Sequence, residues 1–427
     1  MKPHFFIGID RSDFRLDLCI LSANGEILEQ TSISTDPEAM LAWARKIEAM
    51  LPSGARAALC IEQPCPGLLN FFRQFEFLAL HLINPLTLKH YREAFNTSRA
   101  KDDKKDAFHL ARLILEKHDL LKAWQPDDEQ SRQLTILTQK RRQLVDLRVS
   151  ATNRLTQILK DCFPQALQIT GRDLHARLAL AFLEKWPTLQ ALQRARPATI
   201  KKFYHQHGSR RPKPIEERLA LIASAVPICT DPITLDCSTE FLHALVRQLR
   251  EFDQSIRRFD TLIEASLHSH PDVVIFASLP GAGANLSARL AAFFGTDRAA
   301  YPDPISVQNH SGVSPVTKQS GKMHFVHRRY ACCKFWRQTF VEWAGQSVMK
   351  SRWAKAYYEQ QKQKGQRHHT ILRGLAYKWI RIVHRCWQNN EVYNEDRYLA
   401  VLEKRQSPLI AIIRKLAELP EPEAISS

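Results

Sequence analysis

The sequence predicts an α/β domain at the N-terminus, a helical coiled-coil middle and a mainly α-helical C-terminal region. Three observations carry that prediction. Short apolar runs alternate with helix-period segments as far as Trp124. Leu242, Leu245, Leu249, Phe252, Ile256, Phe259 and Ile263 then repeat at 3-4-3-4-3-4 spacing, the seam of a coiled coil. Beyond Pro271, Trp and Tyr recur among lysines and arginines at helical spacing. Taken in order, residues 5–21, 27–34, 57–62 and 77–83 read as strands, and 37–50, 66–74 and 86–117 as helices. From Asp127 the chain turns helical and charged. Leu137, Leu144, Ala151 and Ile158 keep a seven-residue step, with Leu134 and Leu155 beside it and Arg141 and Arg148 interrupting. That helix pairs with the later heptads within the chain or across a dimer; amphipathic packing on a globular core is the other reading. Residues 201–213 read as a basic loop and 219–228 as a buried helix. The expected divisions are 1–126, 127–270, 271–390 and a tail, 391–427.

Composition narrows the function. A chain of 427 residues with 44% hydrophobic and 25% charged residues is globular, not disordered or collagenous. Its 61 Lys and Arg exceed 44 Asp and Glu, and a net charge of +17 points to a polyanionic partner. Between Lys318 and Arg385 sixteen cations face only Glu342 and Glu359, so +14 of the +17 lies in one stretch. Lys318, Lys322, Arg328, Arg329, Lys334 and Arg337 are the candidate nucleic-acid contacts, and the interleaved Trp and Tyr supply core and stacking surface. Affinity for nucleic acid should then fall ~10³ to 10⁵-fold between roughly 50 and 200 mM salt. No apolar run approaches the ~20 residues of a bilayer span. Nine cysteines without a C-x-x-C pair suit a reducing, cytoplasmic setting, with no membrane partner.

The chemistry starts from acids in places that exclude charge. Asp10 ends the apolar run Phe6-Ile7-Gly8-Ile9, and Glu62 ends Ala57-Ala58-Leu59-Cys60-Ile61. A lone buried carboxylate costs several kcal/mol, so something cationic should neutralise each. Asp103 and Asp106 lie three apart where a helix starts, on one side of it. Four such acids suit two Mg²⁺ ions about 4 Å apart on a scissile phosphate. Asp103 and Asp106 also suit a solvated helix start, where acids favour the positive end.

Here a resemblance becomes specific. Gly8-Ile9-Asp10-Arg11-Ser12, Ile61-Glu62, Asn84-Pro85 and Ala100-Lys101-Asp102-Asp103-Lys104-Lys105-Asp106-Ala107 resemble, in order and spacing, the DEDD transposases of bacterial insertion sequences. Pro280-Gly281-Ala282-Gly283, Gly312-Val313-Ser314-Pro315 and Ser320-Gly321 resemble motifs of that family's second domain. Tyr357-Tyr358, Lys364-Gly365 and Ala376-Tyr377-Lys378 match further on. The resemblance implies a RuvC/RNase H-like first domain, a coiled coil, and a C-terminal transposase domain bearing a serine nucleophile. It implies a recombinase that cuts and rejoins donor and target DNA, guided by a structured noncoding bridge RNA. It maps the nucleophile onto Ser320 and the metal-holding acids onto Asp10, Glu62, Asp103 and Asp106. A serine hydroxyl needs activation, and cations must absorb phosphate charge, as Lys318, Lys322, Arg328 and Arg329 can. Joining two DNA partners implies a homo-oligomer, a dimer or a tetramer.

Alternatives stand beside each assignment. A serine before glycine is an ordinary turn residue; Ser314 is the next candidate nucleophile and Ser311 the one after. Pro280-Gly281-Ala282-Gly283 is either a phosphate-binding hairpin or a helix-start turn. Gln63-Pro64 follows Glu62 where the family has Thr-Gly, and His327-Arg328-Arg329-Tyr330-Ala331-Cys332-Cys333 stands where a Lys-Arg-Gly-Asn-like motif is expected. His324, His327, Cys332 and Cys333 match no standard zinc spacing. A two-metal hydrolytic nuclease or Holliday junction resolvase needs the acids without Ser320, and a non-catalytic nucleic-acid-binding protein needs neither.

Overall fold

A computed structural model describes residues 2–62, 66–95, 103–171, 173–321 and 323–418; the side chains of Phe95, Asp103 and Lys104 lie outside this description. The chain forms two compact units, Met1–Pro126 and Asp127–Ser427. The first holds β1 (Phe5–Arg11), β2 (Arg15–Ser22), β3 (Ile27–Ser34), α1 (Pro37–Met50), β4 (Ala57–Glu62), α2 (Pro66–Phe72), β5 (Leu78–Ile83), α3 (Pro85–Phe95) and α4 (Asp103–Lys117). The sheet order is β3-β2-β1-β4-β5, with β1 antiparallel to β2 and parallel to β4. The run 5–21 is therefore two strands, turned where the Ser12 N–H donates to the Arg15 carbonyl at 2.9 Å.

Both faces of this sheet are covered, which explains the nearly continuous apolar strands. Ile7, Ile9, Leu59 and Ile61 pack with Trp43 and Ile47 of α1 and Phe72 of α2. Phe6, Cys19, Ala58 and Cys60 pack on the other face with Ala107, Leu110 and Ile114 of α4. Gly8 lies on that second face because side chains alternate along a strand. A Cβ there would meet the Ala107 carbonyl oxygen at 2.1 Å and the Ala111 nitrogen at 2.4 Å, so only glycine lets α4 cross β1 this closely.

The second unit contains α5 (Glu129–Cys162), α6 (Ala166–Ile169), α7 (Arg177–Lys185), α8 (Leu189–Gln193), α9 (Pro197–Gln206), α10 (Pro212–Ser224) and α11 (Pro232–His268). There follow α12 (Val273–Ala277), α13 (Gly283–Phe294), α14 (Pro304–His310), β6 (Val316–Ser320), β7 (Met323–His327), α15 (Lys334–Ser347), α16 (Arg352–Gln363), α17 (His368–Gln388), α18 (Glu395–Lys404) and α19 (Leu409–Ala417). Asp128 and Asp231 cap the two long helices, each accepting a backbone N–H at 2.8 Å, from Ser131 and Thr234. α5 and α11 pack antiparallel within the chain: Ser266 donates to Gln133 at 3.3 Å, Arg141 to Asp260 at 3.2 Å and Arg148 to Asp253 at 2.8 Å. Leu242, Leu245, Leu249, Ile256 and Ile263 are buried between or beside them.

Two expectations for the middle of the chain need correction. Residues 201–206 belong to α9, with Phe203 and Tyr204 buried against Phe182 and Trp186, so the basic loop shrinks to the turn at 207–211. Pro197 in the first turn starts that helix early. The expected buried helix at 219–228 is α10, which ends at Ser224 and leaves Val226 and Ile228 exposed. Pro227 disfavours helical geometry at the residue before it. α6 to α10 share a core with Leu155, Leu159, Leu242 and Leu249, at one end of the long helical pair. At its other end Leu134, Ile263 and Leu267 join Phe276, Phe340, Trp343, Trp379 and Trp387 in a second core, on which Tyr398, Leu402 and Ile413 of the last helices also pack. Among the described residues no helix is long and apolar enough to cross a membrane.

Burial of two histidines makes this unit acid-sensitive. His270 lies between the Ser131 hydroxyl and the Asp272 N–H, each at 3.1 Å, and His310 lies 2.6 Å from the Tyr301 hydroxyl. Burial lowers both below the ordinary 6.5, for His270 against the opposing pull of Asp272 and Asp128. A lowered folded-state value means that the unfolded chain takes up the proton first. Stability is thus full above about pH 6.5 and falls as pH drops below it. Melting temperatures across a pH series should show this decline, and His310→Asn should flatten it.

Candidate active site and nucleic-acid interface

Strand register brings the acids of the first unit to one face. β1 and β4 run parallel with Ile9 opposite Ile61, so the following residues, Asp10 and Glu62, stand side by side. Both alternate onto the face that α4 covers, as do Phe6, Gly8, Ala58 and Cys60. A third acid, unanticipated from sequence, joins them. Asp17 lies opposite Asp10 across the β1–β2 pair, is 2% exposed, and accepts from the Ser32 hydroxyl, with Arg15 4.0 Å away.

α4 brings Asp106 to the same face of the sheet, immediately before the Ala107 that touches Gly8. Asp106 is 4% exposed, and both its oxygens accept from Arg92 of α3, at 2.9 and 2.8 Å. A guanidinium thus neutralises Asp106, whereas the cation expected from the sequence is one for Asp10 and Glu62. Next to the Arg92–Asp106 pair, burial lowers the His109 pKa below its ordinary value, opposed by Asp106 and reinforced by Arg92. Asp103 opens α4, but its side chain lies outside the described residues. As oxygen donors, Asp10, Glu62 and Asp106 are of the type a hard divalent cation takes, and in this structure both Asp106 oxygens are engaged by Arg92. Among the described residues no three His, Cys, Asp or Glu side chains converge closely enough to hold a metal ion.

In the second unit, Ser320 ends β6 opposite Met323 of β7, at the mouth of a tight hairpin where Gly321 has φ +55°. Its hydroxyl is exposed and has no hydrogen-bond partner among the described residues. Ser314 is half-buried and donates to the Pro315 carbonyl at 3.3 Å; Ser311 is fully buried and donates to the Gln308 carbonyl at 3.1 Å. Of the three serines only Ser320 is presented to solvent. The Pro280-Gly281-Ala282-Gly283 segment is a helix-start turn leading into α13. Gly281 has φ +74°, a Cβ on it would come 2.7 Å from the Gln346 carbonyl, and Trp343 donates to the Pro280 carbonyl at 3.1 Å. The glycine is fixed by packing on α15.

The six candidate cations divide by role. Lys318 is exposed on β6, and Lys322 lies outside the described residues. Arg329 is committed to the fold, donating to Asn309 at 3.0 Å and to the Ser314 carbonyl at 3.3 Å. Arg328, Lys334 and Arg337 line a cavity of about 440 Å³ with Gln338, His369 and Arg373. Burial, then the neighbouring Arg328 and Arg337, lower the Arg373 pKa. His369 and Arg373 sit at the start of α17, and nothing in their sequence setting separates them from other cations there.

Comparison with known proteins places the chain among transposases. Residues 7–164 match a transposase family model, the DEDD transposase of IS110, and residues 274–359 match the transposase IS116/IS110/IS902 family. The chain belongs to the DEDD transposase family of insertion sequences. The IS117 mini-circle protein of Streptomyces coelicolor is 26% identical over 412 residues, covering 93% of this chain and 97% of that relative. The 42 kDa protein of insertion element IS900 of Mycobacterium paratuberculosis is 24% identical, over 71% of this chain and 76% of its own. The 43.6 kDa protein of insertion element IS110 of Streptomyces coelicolor is 22% identical, over 71% and 74%. This transposase is accordingly an enzyme that cleaves and rejoins DNA, and its family implies use of a divalent metal.

Two measurements test the site's physics. Asp106→Ala leaves the Arg92 guanidinium partnerless in a largely buried place and should destabilise the transposase by about 3 kcal/mol in urea unfolding. The double change Arg92→Met with Asp106→Leu should recover much of that loss. Arg373→Ala should weaken DNA binding evenly across sequences and reduce the slope of log affinity against log salt by about 1.

Proposed function

We propose that this transposase cuts and rejoins DNA through a covalent bond between Ser320 and a DNA phosphate, in a reaction that also needs the acids of the first unit. The single observation that carries the reading is the placement of Ser320, exposed at a hairpin mouth in a region free of acids. In the attack, a bond forms from Ser320 Oγ to phosphorus as one phosphorus–oxygen bond to deoxyribose breaks. The serine proton is released to solvent, and the leaving oxygen takes one up. The phosphodiester energy stays in the serine ester, so the reverse attack rejoins DNA without ATP. Arg328, Lys334, Arg337 and Arg373 stabilise the negative charge that grows on the phosphate.

Asp10, Glu62 and Asp106, with Asp103, would hold Mg²⁺ once Arg92 has yielded Asp106. Bound there, the ion supplies Lewis-acid stabilisation of phosphate oxygens. The family resemblance supports guidance by a structured RNA, with the protein reading backbone and shape while base pairing selects sequence. Two DNA partners require at least two nucleophiles, hence a homo-oligomer. All eight described cysteines are free thiols, as suits action in the reducing cytoplasm.

The deciding experiment incubates labelled DNA with Mg²⁺, RNA transcribed from the DNA flanking the gene, and wild type, Ser320→Ala or Asp10→Asn. A protease-sensitive protein–DNA adduct on a denaturing gel should form with wild type alone. Cleavage without an adduct that survives Ser320→Ala and disappears in Asp10→Asn would make the enzyme a metal-dependent hydrolase.

A further inference from the structure

We propose that the β6–β7 hairpin carries a stacking surface for unpaired DNA bases, running from Ser320 towards the arginine cavity. The proposal rests on this hairpin being the DNA-contacting face of the transposase, but not on Ser320 being the nucleophile. The register pairs Ser320 with Met323, Lys318 with Phe325 and Val316 with His327, and side chains opposite one another in an antiparallel pair share a face. Lys318, Ser320, Met323, Phe325 and His327 therefore line one side. Met323 is 75% and Phe325 64% exposed, and Tyr330, just beyond β7, is 70% exposed. The rings form a ladder: Phe325 to His327 is 5.8 Å between centroids, and His327 to Tyr330 is 6.0 Å. Arg328 closes the far end, with its guanidinium 5.0 Å from the Tyr330 ring centre while it also lines the cavity with Lys334, Arg337 and Arg373.

Nothing in the fold accounts for these rings. The sheet has two strands only, and a two-stranded hairpin with no buried face is marginal in water. A contiguous exposed apolar stripe marks a contact surface. Its charge selects the partner. From Pro304 to Val341 the sequence has no Asp or Glu, whereas Lys318, Lys322, Arg328, Arg329, Lys334 and Arg337 fall within it. A stripe of rings flanked by cations matches a single strand, whose bases stack while its phosphates alternate alongside. Cutting and rejoining expose such unpaired bases next to the scissile phosphate.

The test measures fluorescence anisotropy of the full chain with a mixed-sequence single strand and with a blunt duplex of the same length. Phe325→Leu and Tyr330→Leu should each lower single-strand affinity about 5- to 100-fold and duplex affinity by less than about two-fold. Tyr330→Phe keeps the ring and should bind as wild type does. Because the residues are exposed, the leucine variants should melt at the wild-type temperature. Unchanged single-strand affinity, or equal loss on single strand and duplex, would overturn the proposal. So would leucine variants that change the oligomeric state while single-strand affinity holds, since the stripe would then be a contact between protein chains. The adduct experiment addresses the nucleophile separately, so either reading can fail alone.

Discussion

The acidic face depends on one contact, the crossing of α4 over β1 at Gly8. The helix backbone comes so near the strand that a single methyl group there would overlap Ala107 and Ala111. A strand offers its face to a helix at the usual distance through side chains; removing one lets the helix sink by the width of that side chain. Asp106, one residue before Ala107, is thereby carried to the sheet face on which Asp10 and Glu62 stand in register. The geometry explains why three carboxylates are tolerated where the strands around them are apolar. Each sits at the end of a strand or the first turns of a helix, where apolar packing stops. The Arg92 guanidinium then satisfies Asp106, which is more buried than Asp10 or Glu62. A carboxylate so held is poised: the cost of burying it is already offset, and any replacement cation must do at least as well as a two-bonded arginine.

The long helical pair in the second unit follows a comparable logic of compensated charge. Arg141 and Arg148 break the apolar step of α5, yet each reaches across to an acid of α11, Asp260 and Asp253. Two such bridges fix the stagger of the helices, because a shift by one turn would set each arginine against a different layer. Leucines and isoleucines between them supply the burial. The pair thus acts as a spar with separate cores at its ends, one built with α6 to α10 and the other with the aromatic residues of α13, α15 and α17.

What was legible in the sequence follows from what kind of signal each residue gives. Asp10 and Glu62 stood out because charge at the end of an apolar strand demands an explanation. Asp17 gives the same signal inside Leu16-Asp17-Leu18, but only the turn at 12–14, which divides residues 5–21 into two strands, places it opposite Asp10. Arg92 gives no signal: a cation on an amphipathic helix is ordinary until the fold sets it against Asp106. His369 and Arg373 were hidden for the same reason, since their cavity is assembled from α15 and α17, which are distant in sequence. The pairing of α5 with α11 inside the chain was equally open, because heptads specify a seam and not the chain that fills it. Pro197 and Pro227, by contrast, mark the helix boundaries from which the expected loop and the expected buried helix depart.

The concentration of positive charge in the C-terminal region raises a last physical question, namely what holds so many cations together. The answer lies beneath them. Trp343, Trp353, Trp379 and Trp387 are fully buried, and every indole N–H is satisfied, by the Pro280 carbonyl, the Tyr393 hydroxyl, the Ser347 hydroxyl and the Gly295 carbonyl. Large rings locked by both packing and a hydrogen bond give a core that resists the outward pressure of like charges. That rigidity has a functional value. Side chains on a yielding scaffold would splay apart and have to be gathered again on binding, whereas cations held in place meet a phosphate backbone already arranged.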